Sequence, residues 1–126
     1  MAVSRGITVV GAVDPNMAGG GFPASHKGVV AVTVSGTTSA GAFAAPGRDI
    51  PTTEPGGKWG LVNGSSYSAA HVSGLFALMR ERGRGGRALT LVAANGESGG
   101  AIDACATLSK APCGGRPVTL TAIPRP

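Results

Sequence analysis

Continuous apolar runs mark three strands in the first half of the chain. "GITVVGAV", residues 6–13, is rich in β-branched residues and ends at "DPN", which favours a turn. "VVAVTVSG", residues 29–36, is a second run of this kind, and a shorter one within "GAFAAPGRDI", residues 41–50, stops at the turn signal "APG". Runs without polar alternation are typical of strands covered on both faces. The pattern therefore predicts part of a buried parallel sheet.

The pattern changes to that of a helix after residue 65. "SYSAAHVSGLFALMRER", which begins at Ser66, has no proline and one interior glycine, and it is small or apolar almost all round until Arg80. This predicts a helix from Ser66 to Glu81 that is buried on every side. Gly74 costs about 1 kcal/mol of helix stability relative to alanine. We therefore expect a neighbouring backbone to occupy the space that a side chain at this position would need.

The segments on either side of this helix give weaker signals. "PTTEPGGKWG", residues 51–60, predicts a loop, and "WGLVNG" predicts a short extended piece that leads into a tight turn at Asn63-Gly64. After the helix, "GRGGR" is typical of a linker, and "ALTLVAA" and "PVTLTAI" are strand candidates. We therefore expect two units, residues 1–82 and a tail of residues 83–126 with a glycine-rich linker and a small β structure.

The predicted fold class is α/β, a partial parallel sheet with a buried central helix and a short β-rich tail. The length of 126 residues suits one small domain. A parallel sheet is normally covered by helices on both faces, and the sequence predicts one convincing helix. We therefore expect this chain alone to lack half of the partners that cover such a sheet.

The net charge of +5 raises the question of a nucleic-acid partner. Most basic residues lie far apart, and the one cluster is "RERGRGGR", residues 80–87. It is either a basic arm for nucleic acid or the cationic end of a helix followed by a glycine linker. No aromatic residue is interleaved for base stacking. We favour the second interpretation and expect no nucleic-acid partner.

Membrane, leader and metal signals are weak. No apolar run approaches the ~18 residues of a membrane span, and "MAVSRGITVVGAV" lacks the apolar length and cleavage pattern of a signal peptide. The six acidic residues are scattered, so we expect no metal site and no cofactor.

Cys105 and Cys113 flank the short "ATLSKAP". They form either a disulfide, which we favour, or two free thiols.

Ser66 is the candidate for catalysis. A nucleophilic serine needs an exposed Oγ on a turn, a base for its proton and donors for the oxyanion. "NGSS" before a helix supplies the turn, and the helix start places a backbone N–H and the positive end of the dipole beside the developing charge. The alternative is an ordinary N-cap by Ser65 or Ser66.

The segment "GSSYSAAHVSG", residues 64–74, resembles the nucleophile motif G-T-S-M-A-x-P-H-V-x-G of subtilisin-like serine peptidases. The matching residues are Gly64, Ser66, His71, Val72 and Gly74, serine 65 conservatively replaces threonine, and the departures are Tyr67, Ser68 and Ala70. "GITVVGAV", "FPASHKGVVAVTV" and "GAFAAPGRDI" are similar to further segments of the family, in the same order. The resemblance covers residues 1–82, which would be the C-terminal half of the catalytic domain.

The resemblance implies roles for several side chains. Ser66 is the implied nucleophile of a serine endopeptidase, and His71 matches a structural histidine of the motif, directed away from the Oγ. His26 lies in a loop, where we expect an exposed histidine and no role as the base. The stretch Gly11-Ala12-Val13 resembles the wall of the family's primary specificity pocket.

The oxyanion donor is less clearly implied. The family has Gly-Asn after the first strand, where this chain has "VDPN". Asn16 is the candidate donor, and Asp14 is the alternative at that place. An ionised Asp14 repels an oxyanion, whereas a protonated one donates to it. The non-catalytic interpretation is that Asp14 and Asn16 shape a turn with Pro15.

The family's catalytic Asp and His find no match in the sequence. Subtilisin-like enzymes carry Asp, His and Ser in that order. The expected partners are therefore a peptide or protein substrate and an N-terminal half that supplies the Asp and His. We expect the isolated chain to be weak or inactive, in an extracellular or periplasmic setting implied by the family. The alternative function is a non-catalytic module that binds a peptide or a subunit, with an exposed sheet edge for strand addition.

Overall fold

The computed structural model describes residues 1–83, 90–94 and 100–109, and the backbone of residues 118–121. Its strands and helices follow in the order β1 Val9–Ala12, β2 Val29–Val34, β3 Phe43–Ala45, β4 Ile50–Glu54, β5 Lys58–Val62, α1 Ser65–Arg82, β6 Thr90–Ala93, α2 Ala104–Ser109 and β7 Val118–Thr121. Within these ranges, no helix is both long and apolar enough to cross a bilayer.

Strands β1, β2 and β3 form a parallel sheet in that spatial order. All three coincide with the apolar runs, because each run supplies β-branched and small residues that pack on both sides. Beyond β3, the pairing continues through a parallel bridge between Ala44 and Ala101. On the other side, β1 has no further strand within the described residues. The α/β fold class with a partial parallel sheet is confirmed.

Strands β4 and β5 form an antiparallel hairpin, which corrects the prediction of a loop over residues 51–60. Thr52 pairs with Gly60 and Thr53 with Trp59. Proline and glycine suggested a loop, but a two-stranded ribbon tolerates proline because it has two free edges. The glycines form the turn, and the β-branched threonines favour the strand.

Helix α1 packs one face against all three parallel strands. Its buried apolar residues Val72, Leu75, Phe76 and Met79 join a cluster with sheet residues such as Val32, which is 0% exposed. Each such side chain contributes about 1.5–3 kcal/mol when it is fully buried. The core of the protein therefore lies between α1 and the sheet.

The opposite face of α1 is open. The expectation of burial on every side holds for one face only, since Ala70, His71, Gly74 and Leu78 are all exposed. A Cβ at Gly74 would meet no atom of the described residues within 4 Å. No neighbouring backbone therefore accounts for this glycine in the described structure.

Replacing Gly74 by alanine is expected to stabilise the isolated chain by about 1 kcal/mol. The methyl group enters open space, and alanine loses less backbone entropy in a helix interior than glycine. Urea denaturation checks this, with Ala77→Gly as the control, since Ala77 is exposed on the same helix and should give the opposite change. A lower stability for Gly74→Ala would show that the face is already covered.

The described part of the tail joins the same core. Leu91 in β6 is 0% exposed and belongs to the hydrophobic cluster of α1 and the sheet. Strands β6 and β7 pair antiparallel and overlap the two strand candidates. Helix α2 was missed by the sequence analysis, although Asp103 caps it by accepting a 2.8 Å hydrogen bond from the Ala106 N–H. The division of the chain at residue 82 stays a prediction.

The predicted disulfide is only partly within the described structure. Cys105, in α2, is disulfide-bonded. Cys113, its predicted partner, lies outside the described residues. The pairing of these two residues stays a prediction.

Candidate active site

Ser66 lies in the first turn of α1, as predicted, and its side chain is exposed. The residue before the helix is Gly64, whose φ of 153° and ψ of 153° are accessible to glycine alone. The Gly64 N–H donates to the Gly47 carbonyl at 2.8 Å. The Asn63 side-chain oxygen accepts a 2.9 Å hydrogen bond from the Asp49 N–H. The turn that presents Ser66 is thus tied to the segment between β3 and β4.

The interpretation of Ser65 or Ser66 as an N-cap is wrong. The capping position is Gly64, and no side chain caps the helix there. The Ser65 Oγ instead donates a 2.7 Å hydrogen bond to the carbonyl of Val13, directly after β1. The start of α1 is therefore joined to the carboxyl end of β1, where ligand sites of parallel sheets normally lie.

The turn after β1 is held by its own polar groups. The Asp14 carboxylate accepts a 2.9 Å hydrogen bond from the Asn16 N–H, and the Asp14 N–H donates to the Gly20 carbonyl at 2.9 Å. This is the turn-shaping geometry expected for Asp followed by Pro. Asp14 directly follows the residue bonded to Ser65, and Asn16 lies two positions further. Donation from Asn16 to an oxyanion stays a prediction.

The proposed pocket wall packs tightly against its neighbours. Val13 and Gly11 are buried and Ala12 is half-buried. A Cβ at Gly11 would approach the Ala24 nitrogen and the Val29 side chain to 3.0 Å each. Only glycine fits this position without a shift, and contact of the three residues with a substrate stays a prediction.

Neither histidine hydrogen-bonds to Ser66 in the described structure. His26 is exposed in the loop before β2, as expected. His71 is also exposed, and its Nδ1 lies 3.2 Å from the Pro46 carbonyl. This contact directs the ring toward the end of β3. Within the same residues, no carboxylate is hydrogen-bonded to Ser66 either.

Ser68, which departs from the motif, is a buried polar residue two positions after Ser66. Its side chain is 0% exposed, and its Oγ donates a 3.0 Å hydrogen bond to the Ala45 carbonyl at the end of β3. A Cβ at Gly47 would collide with this hydroxyl. The sequence did offer a signal for a buried hydroxyl. Ser68 lies three positions after Ser65 and four before the apolar Val72, so it shares a helix face with both.

The described ranges contain no group of three or more His, Cys, Asp or Glu side chains placed to share a metal ion.

Comparison with known proteins finds relatives that match part of this chain. No protein-family model matches the chain. Subtilisin E from Bacillus subtilis (strain 168) is 34% identical over 93 residues, which cover 62% of this chain and 24% of the relative. Subtilisin from Bacillus pumilus is also 34% identical over 93 residues, which cover 62% of this chain and 34% of the relative. The Extracellular protease of Xanthomonas campestris pv. campestris is 39% identical over 100 residues, which cover 63% of this chain and 17% of that protein.

The chain spans about a quarter of the length of the first curated relatives it matches. The parallel sheet and the helix that begins at Ser65, directly before the motif serine, agree with the predicted partial fold. The chain is therefore related, over this partial region, to the subtilisin-like serine peptidases.

Proposed function

We propose that the chain is the nucleophile-bearing segment of a subtilisin-like serine endopeptidase. The observation that carries the proposal is the exposed Ser66 in the first turn of α1, after a glycine turn tied to the ends of the strands. An exposed hydroxyl at a helix start has room for a peptide carbonyl and lies beside the positive end of the helix dipole.

In the proposed reaction, the Ser66 Oγ attacks the peptide carbonyl carbon. The C–O bond forms, the serine proton passes to a base, and the carbonyl oxygen becomes an oxyanion. The N-terminal N–H groups of α1 and the side-chain amide of Asn16 are the proposed oxyanion donors. The oxyanion collapses, the peptide C–N bond breaks, and the leaving amine takes the proton from the base. Water then attacks the ester of the acyl-enzyme, which releases the carboxylic acid and restores the Ser66 hydroxyl.

The proposed base comes from polypeptide that corresponds to the part of the relatives outside the region matched by this chain. Three quarters of the first relatives' length lies outside the matched region, and we place the Asp and His of the triad there. Without a base, Ser66 is a poor nucleophile near neutral pH. The 126 residues alone are therefore weak or inactive, and the substrates are peptides or proteins. The relative from Xanthomonas campestris is named an extracellular protease, and this name supports an extracellular location for the proposed peptidase.

A fluorophosphonate probe tests the proposal, since it reacts with activated serines. The test protein is a fusion in which this chain replaces the matched segment of Subtilisin E. We expect labelling at Ser66 in the fusion, slow labelling in the isolated chain, and none in Ser66→Ala. Ser73→Ala is the matched control, because Ser73 is exposed and its hydroxyl only bonds back to the Ala69 carbonyl. Robust labelling of the isolated chain would refute its proposed inactivity.

The second candidate function is a non-catalytic binding module, and it rests on the open face of α1. A groove of about 750 Å³ runs beside this face, and it is lined almost wholly by apolar residues, among them Ala70, Gly74, Leu78, Ile102 and Leu108. Leu78 is 47% exposed. In this proposal the groove and the edge of β1 hold a separate polypeptide, and no peptide bond is cleaved.

Association measurements separate the two functions. A fragment of Subtilisin E that precedes the matched segment is mixed with this chain, and binding and peptide hydrolysis are both recorded. Binding with hydrolysis supports the peptidase, and binding alone supports the module. Leu78→Asp is expected to weaken binding at least about tenfold by placing a charge in the groove. Ala77→Asp is the control, because Ala77 directly precedes Leu78 and does not line the groove.

A further inference from the structure

The first turns of α1 carry two serine hydroxyls that bind the ends of different strands. We propose that Ser65 and Ser68 are positioning residues, which together hold the helix start and so fix the place of Ser66. This inference rests on the proposed role of Ser66 and adds two residues to that site. Each acts through the helix backbone, and neither is proposed to touch the substrate.

The geometry supports a two-point attachment. The Ser65 Oγ donates to the Val13 carbonyl at 2.7 Å, and the Ser68 Oγ donates to the Ala45 carbonyl at 3.0 Å. Residues three positions apart lie on one face of a helix. That face therefore meets the carboxyl ends of β1 and β3 at once, and Ser66 lies between the two attachment points along the chain.

Ser68 is held by burial as well as by its hydrogen bond. Its side chain is 0% exposed, so the hydroxyl depends on the Ala45 carbonyl as its partner. A buried hydroxyl without a partner is strongly unfavourable. Gly47 leaves the necessary room, since any side chain there would collide with the Ser68 hydroxyl. Glycine 47 and serine 68 thus form a matched pair.

The helix start has little other support from side chains. Gly64, at the capping position, has no side chain to bond the helix, and the first turn has no acidic residue. Side-chain caps and acidic residues normally stabilise this part of a helix. The hydrogen bonds of Ser65 and Ser68 to the strand ends anchor the first turns instead. Without them, the first turn is expected to fray and to displace residue 66.

The test uses the chemistry of a thiol in place of the hydroxyl of Ser66. In Ser66→Cys, we expect a thiol pKa below the ordinary value of about 8.5, because a helix N-terminus favours the thiolate. Adding Ser65→Ala or Ser68→Ala is expected to raise that pKa by about 0.5 or more, and to slow alkylation by iodoacetamide at pH 7 about threefold. Alkylation is read at position 66 by peptide mass.

Two controls separate positioning from general stability. Ser65→Thr keeps a hydroxyl and is expected to retain the lowered thiol pKa. Ser73→Ala removes a hydroxyl that bonds within its own helix, and it is expected to leave the pKa unchanged. If Ser68→Ala does not fold, the half-buried Ser65→Ala decides the question.

An unchanged thiol pKa in folded Ser65→Ala and Ser68→Ala would overturn the inference, as would an ordinary pKa in Ser66→Cys alone. The measurement does not depend on peptide hydrolysis. A failed peptidase assay with a shifted thiol pKa would therefore reject the proposed function and leave the two attachment points in place.

Discussion

Replacing Ser66 by alanine in the fusion with Subtilisin E is expected to lower kcat by at least about four orders of magnitude, as is typical of serine peptidases that lose their nucleophile. The alanine removes the Oγ, so no acyl-enzyme forms. The exposed site and the turn at Gly64 are left intact, and KM is therefore expected to change little. Steady-state hydrolysis of a peptide substrate measures both constants.

Ser73→Ala again provides the comparison, because it removes one hydroxyl from the exposed face of the same helix. Its kcat is expected to remain within about twofold of the parent fusion, as for surface substitutions in general. Comparable losses in the two variants would mean that Ser66 acts through helix stability. Retained hydrolysis in Ser66→Ala would remove the serine from the mechanism altogether.

Replacing Phe76 by alanine is expected to destabilise the chain by about 3–5 kcal/mol. Phe76 is 4% exposed and lies in the cluster that joins α1 to the sheet, so alanine leaves a cavity at the centre of the core. Small domains are stable by only about 5–15 kcal/mol in total. Urea denaturation followed by circular dichroism is expected to show a large fall in the midpoint.

Leu78→Ala is the matched control for the core substitution. Leu78 lies two positions further along α1 and is 47% exposed, so its truncation removes far less buried surface. We expect a loss below about 1 kcal/mol in the isolated chain. Equal losses for the two variants would indicate that the groove face of α1 is also packed in solution.

The two faces of α1 connect the stability of the chain with its proposed activity. The inward face supplies the core, and its first turns supply the two serine bonds that hold Ser66 in place. The groove along the outward face is open and lined almost wholly by apolar residues, which suits the proposed longer fold in which further polypeptide covers the helix. Gly74→Ala is then expected to stabilise the isolated chain and to weaken association through that face.

Local signals in the sequence were sufficient for the strands β1 to β3, for α1 and for the exposed serine at its start. Strand β4 and helix α2 were missed, because proline and glycine outweighed the β-branched threonines in β4 and α2 has only six residues. Short strands and helices contain too few residues to show a clear hydrophobic periodicity, and the elements that they pack or pair with decide whether they form.

The sequence by itself determined where the apolar runs and the glycine turn lie, and hence that Ser66 lies at the start of a helix that follows the strands of a parallel sheet. Only the tertiary structure decided which face of α1 is buried and what Ser65 and Ser68 bind. Their carbonyl partners lie 52 and 23 residues away along the chain. Hydrophobic periodicity depends on near neighbours, whereas a hydrogen bond across such a separation depends on how the strands and the helix come together.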